Sequence, residues 1–146
     1  MAAPTTTDSF QKTAPLGITI PIRGGQSGYF DQTFDTLNQV KTNIINLLNT
    51  RQGERRMQPT FGSRLWNLVF EQNVDSLTDI AENIVREDIN LWIPNVSVLK
   101  VRSTLLKSDQ STTDQDIYRL QVNVAFMLNM TKQQDIINIT INNVTL

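Results

Sequence analysis

The fold of this 146-residue chain depends most on one segment, Tyr118-Arg-Leu-Gln-Val-Asn-Val-Ala-Phe-Met-Leu-Asn-Met130. Apolar side chains occupy every second position from Tyr118 to Met130, and Arg119, Gln121 and Asn123 lie between them. This period of two is typical of a β-strand with one buried face, because successive side chains point to opposite sides of a sheet. Each fully buried side chain on that face contributes roughly 1.5–3 kcal/mol, so we expect this strand in the core.

Two more strands are predicted beside it. Residues Val96 to Leu106 carry apolar side chains at both odd and even positions, which predicts a strand whose two faces are both partly covered. The polar run Ser108 to Gln115 then forms a turn region, and Thr131 to Asp135 forms the next turn. Ile136 to Leu146 completes a three-stranded meander, since sequential strands usually pair with one another.

Three helices are predicted upstream of the meander, from apolar residues at three- and four-residue spacing. The first covers Gln32 to Asn49, the second covers Ser63 to Phe70, and Pro94 stops the third. The predicted N-caps are Asp31, Ser63 and either Asp75 or Ser76. The residues predicted to be buried are Phe34, Leu37, Ile44, Leu47, Leu48, Leu65, Leu68, Val69, Leu77, Ile80, Ala81, Ile84, Ile89 and Trp92, with Trp66 also in the core.

The N-terminal segment has a different composition. Residues 1–15 contain three consecutive threonines, two prolines and one aromatic residue, which predicts a flexible arm. The run Ile18 to Ile22 predicts a short edge strand, because Pro21 cannot donate to a ladder. Residues 16–146 are therefore predicted to form a single α+β domain, with this edge strand and two to three helices packed on one face of a C-terminal antiparallel three-stranded meander.

Composition excludes several classes of function. The chain has no cysteine and no histidine, so disulfides, cysteine nucleophiles and Ser-His-Asp triads are absent, and we expect no metal and no cofactor. Its apolar runs are only a few residues long, and Met1 to Asp8 lacks the features of a secretory signal, so no membrane contact is expected. A net charge of −1 and a pI near 5.3 argue against nucleic acid as a partner.

The most charged stretch of the chain runs from Arg51 to Arg64 and holds four of the eight arginines. Gly53, Pro59 and Gly62 are turn residues, so the charges should cluster on a folded loop between two helices. Two interpretations remain open. The loop's charges pair with one another and pin its shape, or the arginines bind a partner, since a guanidinium binds carboxylates and helix C-terminal carbonyls bidentately.

The segment Thr50-Arg-Gln-Gly-Glu-Arg-Arg-Met-Gln-Pro-Thr-Phe-Gly62, followed by Leu65-Trp-Asn-Leu-Val-Phe-Glu71, resembles the small baseplate wedge protein of contractile-tailed bacteriophages. That family includes the small baseplate subunit of type VI secretion systems. The resemblance extends upstream to Leu16-Gly-Ile-Thr-Ile-Pro-Ile22 and covers most of the chain. It implies a structural component of the inner baseplate, located in the virion and assembled in the host cytoplasm.

The resemblance also implies partners. Family members hold a helical bundle formed by two larger wedge proteins, and they provide the platform on which the contractile sheath begins to assemble. Tail tube or hub proteins are further candidate partners. The family's Glu-Pro-Arg or Glu-Pro-Asn motif, which grips the bundle, falls at Glu71-Gln72-Asn73, where only the glutamate is kept. The predicted partner-binding residues are Glu54, Arg55, Arg56, Pro59, Arg64 and Glu71.

The C-terminal strand has no proline and no charge after Asp135. Natural sheets usually blunt exposed edges with such residues, so an unprotected terminal strand predicts that another chain pairs with it. The resemblance supplies the sheath subunit as that chain, with Ile137, Ile139, Ile141 and Val144 as the sheath-facing residues. Alternatively, the strand only completes the protein's own sheet.

Two other classes of function fit the sequence less well. Some members of the resembled family are labelled lysozyme-like, and glycoside hydrolysis needs two carboxyl groups, for which Glu54 and Glu71 are the candidates. The arginines at positions 55 and 56 favour an ionised Glu54, whereas a general acid must be protonated. A nucleic-acid module using the loop with Phe61 and Trp66 fits poorly with an acidic chain.

Overall fold

The computed structural model of the protein describes residues 14–25, 28–68, 76–107 and 118–142. It has the predicted α+β architecture, and the chain divides into two compact units, Met1–Asn46 and Leu47–Leu146. The elements in chain order are β1 (Gly17–Ile18), β2 (Gln32–Thr33), α1 (Thr36–Asn49), α2 (Leu65–Leu68), α3 (Ser76–Trp92), β3 (Val96–Lys107), β4 (Tyr118–Leu128) and β5 (Gln134–Asn142).

In the first unit, β1 and β2 form a two-stranded antiparallel ribbon with Gly17 opposite Thr33. The edge strand predicted at Ile18 to Ile22 is observed only as β1, which overlaps the prediction at Ile18 alone and ends before the cis Ile20–Pro21 peptide. Proline offers no N–H to a ladder, which agrees with a strand that stops ahead of it.

The predicted start of α1 was wrong. Gln32 and Thr33 belong to β2, and the helix begins at Thr36. Asp31 is not the N-cap, because it lies five residues before the start of the helix. Its carboxylate accepts a hydrogen bond from the Thr19 hydroxyl at 3.4 Å instead. The backbone pairing with β1 overrides the helical spacing that included Phe34, and that side chain is exposed rather than in the core. Ile44, Leu47 and Leu48 are buried as predicted.

In the second unit, β3, β4 and β5 form an antiparallel sheet in that order, which confirms the predicted meander. The central strand β4 buries Leu120, Val122, Val124, Phe126 and Leu128. It ends two residues earlier than predicted, because the Lys132 N–H donates to the Leu128 carbonyl at 2.9 Å and closes a turn. Met130 lies on this turn and is exposed.

Helix α3 packs on β3 in the second unit. Its buried residues are Leu77, Ala81, Val85, Asp88 and Ile89. The predicted stripe was thus partly wrong, since Ile80 is exposed and Ile84 and Trp92 are only half-buried. Within the described ranges, no helix is long and apolar enough to cross a membrane.

Several predictions fall outside the described residues. They concern most of the N-terminal arm and the turn at 108–115. They also concern the end of the second predicted helix with Val69, the segment Glu71-Gln72-Asn73, the N-cap candidate Asp75, and Val144 near the chain end. Of the second predicted helix, the structure describes α2, and Leu65 and Leu68 are buried as expected.

Candidate partner-binding loop and sheet edge

Residues 50–65 form a closed loop, called the arginine loop below. Its two ends meet where the Ser63 N–H donates to the Thr50 carbonyl at 2.8 Å, and Arg51 and Ser63 form a parallel bridge. Across the middle of the loop, the Gly53 N–H donates to the Pro59 carbonyl at 2.8 Å. The loop therefore has a defined backbone although it lies between helices.

Two glycines make this backbone possible. Gly53 has φ of 92° and Gly62 has φ of 114°, a region that L-residues with a side chain rarely adopt. Gly62 is also sterically restricted, since an added Cβ would lie 2.7 Å from the Thr50 carbonyl oxygen. These requirements explain why the sequence places its turn residues here.

A buried hydrogen bond anchors the base of the loop. The Ser63 hydroxyl donates to Asp88 Oδ2 of α3 at 2.6 Å and accepts from the Leu65 N–H at 3.3 Å. Both Ser63 and Asp88 are buried. Burial raises the pKa of Asp88, although the Ser63 hydrogen bond and Arg64 act in the opposite direction.

Sequence reasoning assigned Ser63 only as a helix cap and did not find Asp88. A signal was present, because Asp88 lies three residues after Val85 and one before Ile89 on the buried stripe of a predicted helix. A carboxylate at such a position needs hydrogen-bond donors, since burying an unpaired charge is costly. A serine at the foot of a charged loop is one suitable donor.

Aromatic rings support two of the arginines. The Arg55 guanidinium carbon lies 3.9 Å from the centroid of the Phe61 ring, and that ring meets Trp92 edge-on at 5.1 Å. Arg51 lies 4.8 Å from the centroid of Trp66. Cation–π contacts at exposed sites contribute about 0.5–1 kcal/mol each, so they orient these arginines without burying their charge.

Some of the loop's charged side chains form contacts within the protein. Arg64 pairs with Glu87 of α3 at 2.8 Å, and the Glu54 carboxylate accepts from the Arg51 N–H at 3.1 Å. Arg56 is exposed and makes no ion pair with any residue of the described ranges. Of the predicted partner-binding residues, Glu54, Arg55, Arg56, Pro59 and Arg64 thus share one exposed loop, and Glu71 lies outside the described residues.

The second candidate surface is the outer edge of β5. Ile137, Ile139 and Ile141 are buried, so their side chains lie in the protein's own core. A partner strand could therefore pair with β5 only through backbone hydrogen bonds along its outer edge.

The hydrogen-bond pattern identifies those groups. The Leu128 N–H donates to the Gln133 carbonyl at 2.9 Å, and bonded and non-bonded pairs alternate along an antiparallel ladder. In the observed register, residues 137, 139 and 141 then bond to β4, and the backbone N–H and C=O groups of residues 136, 138 and 140 point away from it. The same alternation puts the Ser103 N–H on the outer edge of β3, where it donates to Glu82 at 3.2 Å.

The two edges of the sheet are protected differently. On β3, Glu82 accepts from the Ser103 N–H, and Arg86 donates to the Val98 carbonyl at 3.4 Å, so side chains of α3 occupy two backbone groups of that edge. On β5, the Ile136 N–H is occupied by the Asp135 carboxylate at 2.7 Å. Within the described residues, nothing bonds to the outward N–H groups of Asn138 and Thr140, which leaves this part of the edge open.

The sequence of residues 35–133 matches the model of the family Baseplate wedge protein gp25. The chain belongs to this family. The match contains the arginine loop, α2, α3, β3 and β4, so both the loop and its anchor at Asp88 lie within the gp25 family region. The ribbon of β1 and β2 precedes it.

Two solved structures share the fold of this gp25 family member, and a third is similar over part of its length. A candidate tail lysozyme from Geobacter sulfurreducens is 23% identical, with a TM-score of 0.60 over 73% of this chain and 90% of that one. A chain of the anti-feeding prophage baseplate is 20% identical, with a TM-score of 0.57 over 77% of this chain and 83% of that one. A chain of the type VI secretion baseplate complex is 14% identical, with a TM-score of 0.49 over 75% and 94%. Among curated proteins, none matches.

Proposed function

We propose that this gp25 family member is a structural part of the inner baseplate of a contractile phage tail, present in the virion and assembled in the host cytoplasm. In this role the arginine loop clamps the helical bundle of the larger wedge proteins, and the sheet provides the platform from which the sheath starts. Tail tube or hub proteins are further neighbours in the proposed arrangement. Family membership supports the baseplate assignment, and two surfaces support the finer roles.

The observation that carries the proposed clamp is a loop of defined backbone in which Arg55 and Arg56 make no ion pair with any described residue. Its backbone is closed by the Ser63–Thr50 bond and anchored on Asp88, so the loop is held in one shape before any partner binds. Arg56 is exposed, and Arg55 presents its guanidinium from the face of Phe61. Helix bundles end in carbonyl groups and carry carboxylates, both of which accept from guanidinium groups. A preformed loop binds such groups at a lower cost in conformational entropy.

The open edge of β5 supports the proposed contact with the sheath. A partner strand would bond to the backbone groups of Asn138 and Thr140, with Asp135 marking the start of the available edge. Because Ile137, Ile139 and Ile141 cover the core side of β5, an added strand would continue that buried face with its own alternate apolar side chains. The sheath subunit is the proposed source of that strand.

Co-expression of the chain with the larger wedge proteins of its own machine tests the clamp. We expect Arg56→Ala, and more strongly the double variant Arg55→Ala/Arg56→Ala, to lower co-purification of the wedge proteins at least tenfold. Arg102→Ala is the matched control, since it removes an exposed arginine of β3. Equal recovery with the loop variants and the control would reject the clamp.

We also infer that the chain is not an enzyme. Glu54 is tied to the loop through the Arg51 N–H at 3.1 Å, which is a structural use of that carboxylate. A retaining or inverting glycosidase needs a second carboxyl at a set distance across the scissile bond. We expect no clearing of peptidoglycan by the purified protein at neutral or mildly acidic pH. Clearing that Glu54→Gln abolishes would establish a lysozyme-like activity instead.

A further inference from the structure

Met57 is the most exposed large apolar side chain in the part of the chain that the structure describes, at 98%. It lies on the arginine loop, directly after Arg55 and Arg56. Single apolar side chains on a protein surface are common and need no functional explanation. The backbone that carries Met57 and the charges beside it distinguish it from such isolated cases.

Met57 occupies the corner of a hydrogen-bonded turn. The Gln58 N–H donates to the Arg55 carbonyl at 3.2 Å, so Arg56 and Met57 are the two central residues of a β-turn. A second turn follows directly, in which the Phe61 N–H donates to the Gln58 carbonyl at 3.1 Å. Both turns lie within the closed backbone of the arginine loop. The Met57 side chain is therefore presented to solvent from a backbone that is already ordered.

The first residue of this turn is also attached to the helix below it. The Arg55 guanidinium carbon lies 3.9 Å from the centroid of the Phe61 ring. That ring meets Trp92, the last residue of α3, edge-on with the centroids 5.1 Å apart. These contacts set the direction of Arg55 relative to α3. Groups on such a preordered support lose less conformational entropy on binding, so more of their contact energy contributes to affinity.

The charges next to Met57 are positive. Arg55 and Arg56 make no ion pair with any residue of the described ranges, and the loop's carboxylate, Glu54, is bonded to the Arg51 N–H at 3.1 Å. Because consecutive Cα atoms are about 3.8 Å apart, the two arginines and Met57 leave the backbone within about 8 Å of one another. Arginine and methionine are both enriched in protein interfaces relative to the rest of the surface. The tip of the loop thus combines one apolar side chain with two cations.

A groove between two packed helices matches this combination. Helix axes in a bundle are about 8–10 Å apart, and the groove between them has apolar side chains at its floor. Carboxylates on the exposed faces and carbonyl groups at helix C-termini accept from guanidinium groups. Methionine is unbranched and adapts to irregular gaps of this kind. A second copy of the loop matches poorly, because the arginines of the two copies would face one another across an isologous contact.

From these observations we propose that Met57 is the apolar anchor of the clamp. It inserts into an apolar notch between two helices of the wedge bundle, while Arg55 and Arg56 bind carboxylates or helix C-terminal carbonyls at the rim of that notch. This inference rests on the proposed clamp and adds to it the chemistry of the site on the partner. It also makes the binding partly insensitive to salt, because salt screens charges and does not weaken the burial of an apolar side chain.

Substitutions that differ in polarity test the anchor. We expect Met57→Gln to raise the Kd for the purified larger wedge proteins of the same machine at least tenfold, and Met57→Leu to change it less than about threefold. Met130→Gln is the matched control, because Met130 is 86% exposed on the turn after β4 and has no neighbouring arginine. All three variants should keep the unfolding midpoint of the wild type. An unchanged Kd for Met57→Gln, or equal losses for Met57→Gln and Met57→Leu, would overturn the anchor.

Salt separates the anchor from the charges. We expect the fold-loss caused by Met57→Gln to be the same at low and high sodium chloride, and the fold-loss caused by Arg55→Ala/Arg56→Ala to shrink as salt rises. Loss of binding in the arginine variant with normal binding of Met57→Gln would leave the clamp standing and reject the anchor. Loss of binding in Met57→Gln alone would support the anchor and reject the role of the arginines.

Oxidation by hydrogen peroxide gives a direct readout on the unmodified protein. We expect Met57 to be converted to its sulfoxide at least tenfold more slowly in the complex with the wedge proteins than in the free chain, as measured by mass spectrometry of its peptide. Met130 is the internal reference and should react at the same rate in both samples. Equal rates for Met57 in the complex and in the free chain would contradict its insertion into the partner.

Discussion

At the scale of single residues, the hydrogen bond between Ser63 and Asp88 attaches the arginine loop to α3. The 2.6 Å bond between their side chains is buried, and it joins the loop to α3 across 25 residues of sequence. Hydrogen bonds to charged groups contribute about 1.5–3 kcal/mol, and more is lost when one partner leaves a buried group unsatisfied. The loop's exposed ion pair, Arg64 with Glu87, contributes at most about 1 kcal/mol. The buried bond is thus the stronger constraint.

Removing the Ser63 hydroxyl should destabilise the domain. We expect Ser63→Ala to lower the free energy of unfolding by about 1.5–3 kcal/mol, since the Asp88 carboxylate stays buried with one donor fewer. Urea denaturation of the isolated chain measures this. Ser97→Ala is the control, because the Ser97 hydroxyl bonds to Asn129 at 2.5 Å near the surface and its loss should cost less than about 0.5 kcal/mol. Equal losses for the two variants would show that the buried bond does not anchor the loop.

Asp88 should also make stability depend on pH. Burial raises its folded-state pKa above the unfolded value of about 3.9, so the folded state holds the proton more tightly than the unfolded chain. This contribution to stability is complete below about pH 3.9 and is lost as pH rises through the folded-state pKa. Asp88→Asn keeps an acceptor for Ser63 but cannot ionise.

The comparison of wild type with Asp88→Asn isolates that effect, because all other groups titrate in both proteins. We expect the free energy of unfolding of wild type, minus that of the variant, to fall as pH rises from about 4 to 7. Urea denaturation at several pH values measures the difference. A difference that stays constant or grows with pH contradicts the assigned direction of the pKa shift.

At the scale of elements, the two sheet edges are protected differently. α3 supplies Glu82 and Arg86 to the outer edge of β3, whereas the described part of β5 is guarded at its start by Asp135. Natural sheets usually protect both edges, so the difference supports β5 as the edge that receives another strand. The alternation of the ladder also shows which positions can be changed without damage to the protein's own sheet.

Proline substitutions in β5 should separate its pairing with β4 from its proposed pairing with a strand of the sheath. We expect Thr140→Pro to leave the unfolding midpoint nearly unchanged, because its N–H points away from β4, and to impair sheath attachment. Ile141→Pro removes a bond to β4 and also truncates a buried side chain, so it should lower the free energy of unfolding by more than about 3 kcal/mol. Denaturation of both variants and electron microscopy of particles measure these effects. Normal sheaths on particles with Thr140→Pro would rule out this role of the edge.

Sequence patterns predicted the elements with the strongest periodicity. The central strand β4 was recognised because its apolar residues alternate without interruption from Tyr118 to Leu128. The start of α1 was misplaced, because Phe34 fits a helical spacing while the pairing of Thr33 with Gly17 depends on residues far away in sequence. Local patterns carry no information on such a pairing.

At the scale of the whole molecule, the charged loop was predictable from composition and turn residues, and its anchor was not. Asp88 and Ser63 are 25 residues apart, and their contact depends on how α3 packs. The exposure of Leu16 and Ile18 was equally out of reach, because the sequence of a short edge strand does not show which of its side chains are buried.

The most direct test of the structural role is the assembly of particles that carry a changed arginine loop. The double variant Arg55→Ala/Arg56→Ala is introduced into the producing genome, and baseplates are counted by electron microscopy. We expect a folded, soluble protein and at least a tenfold loss of complete baseplates, while Arg102→Ala particles remain normal. Complete baseplates at the wild-type level in the double variant would contradict it.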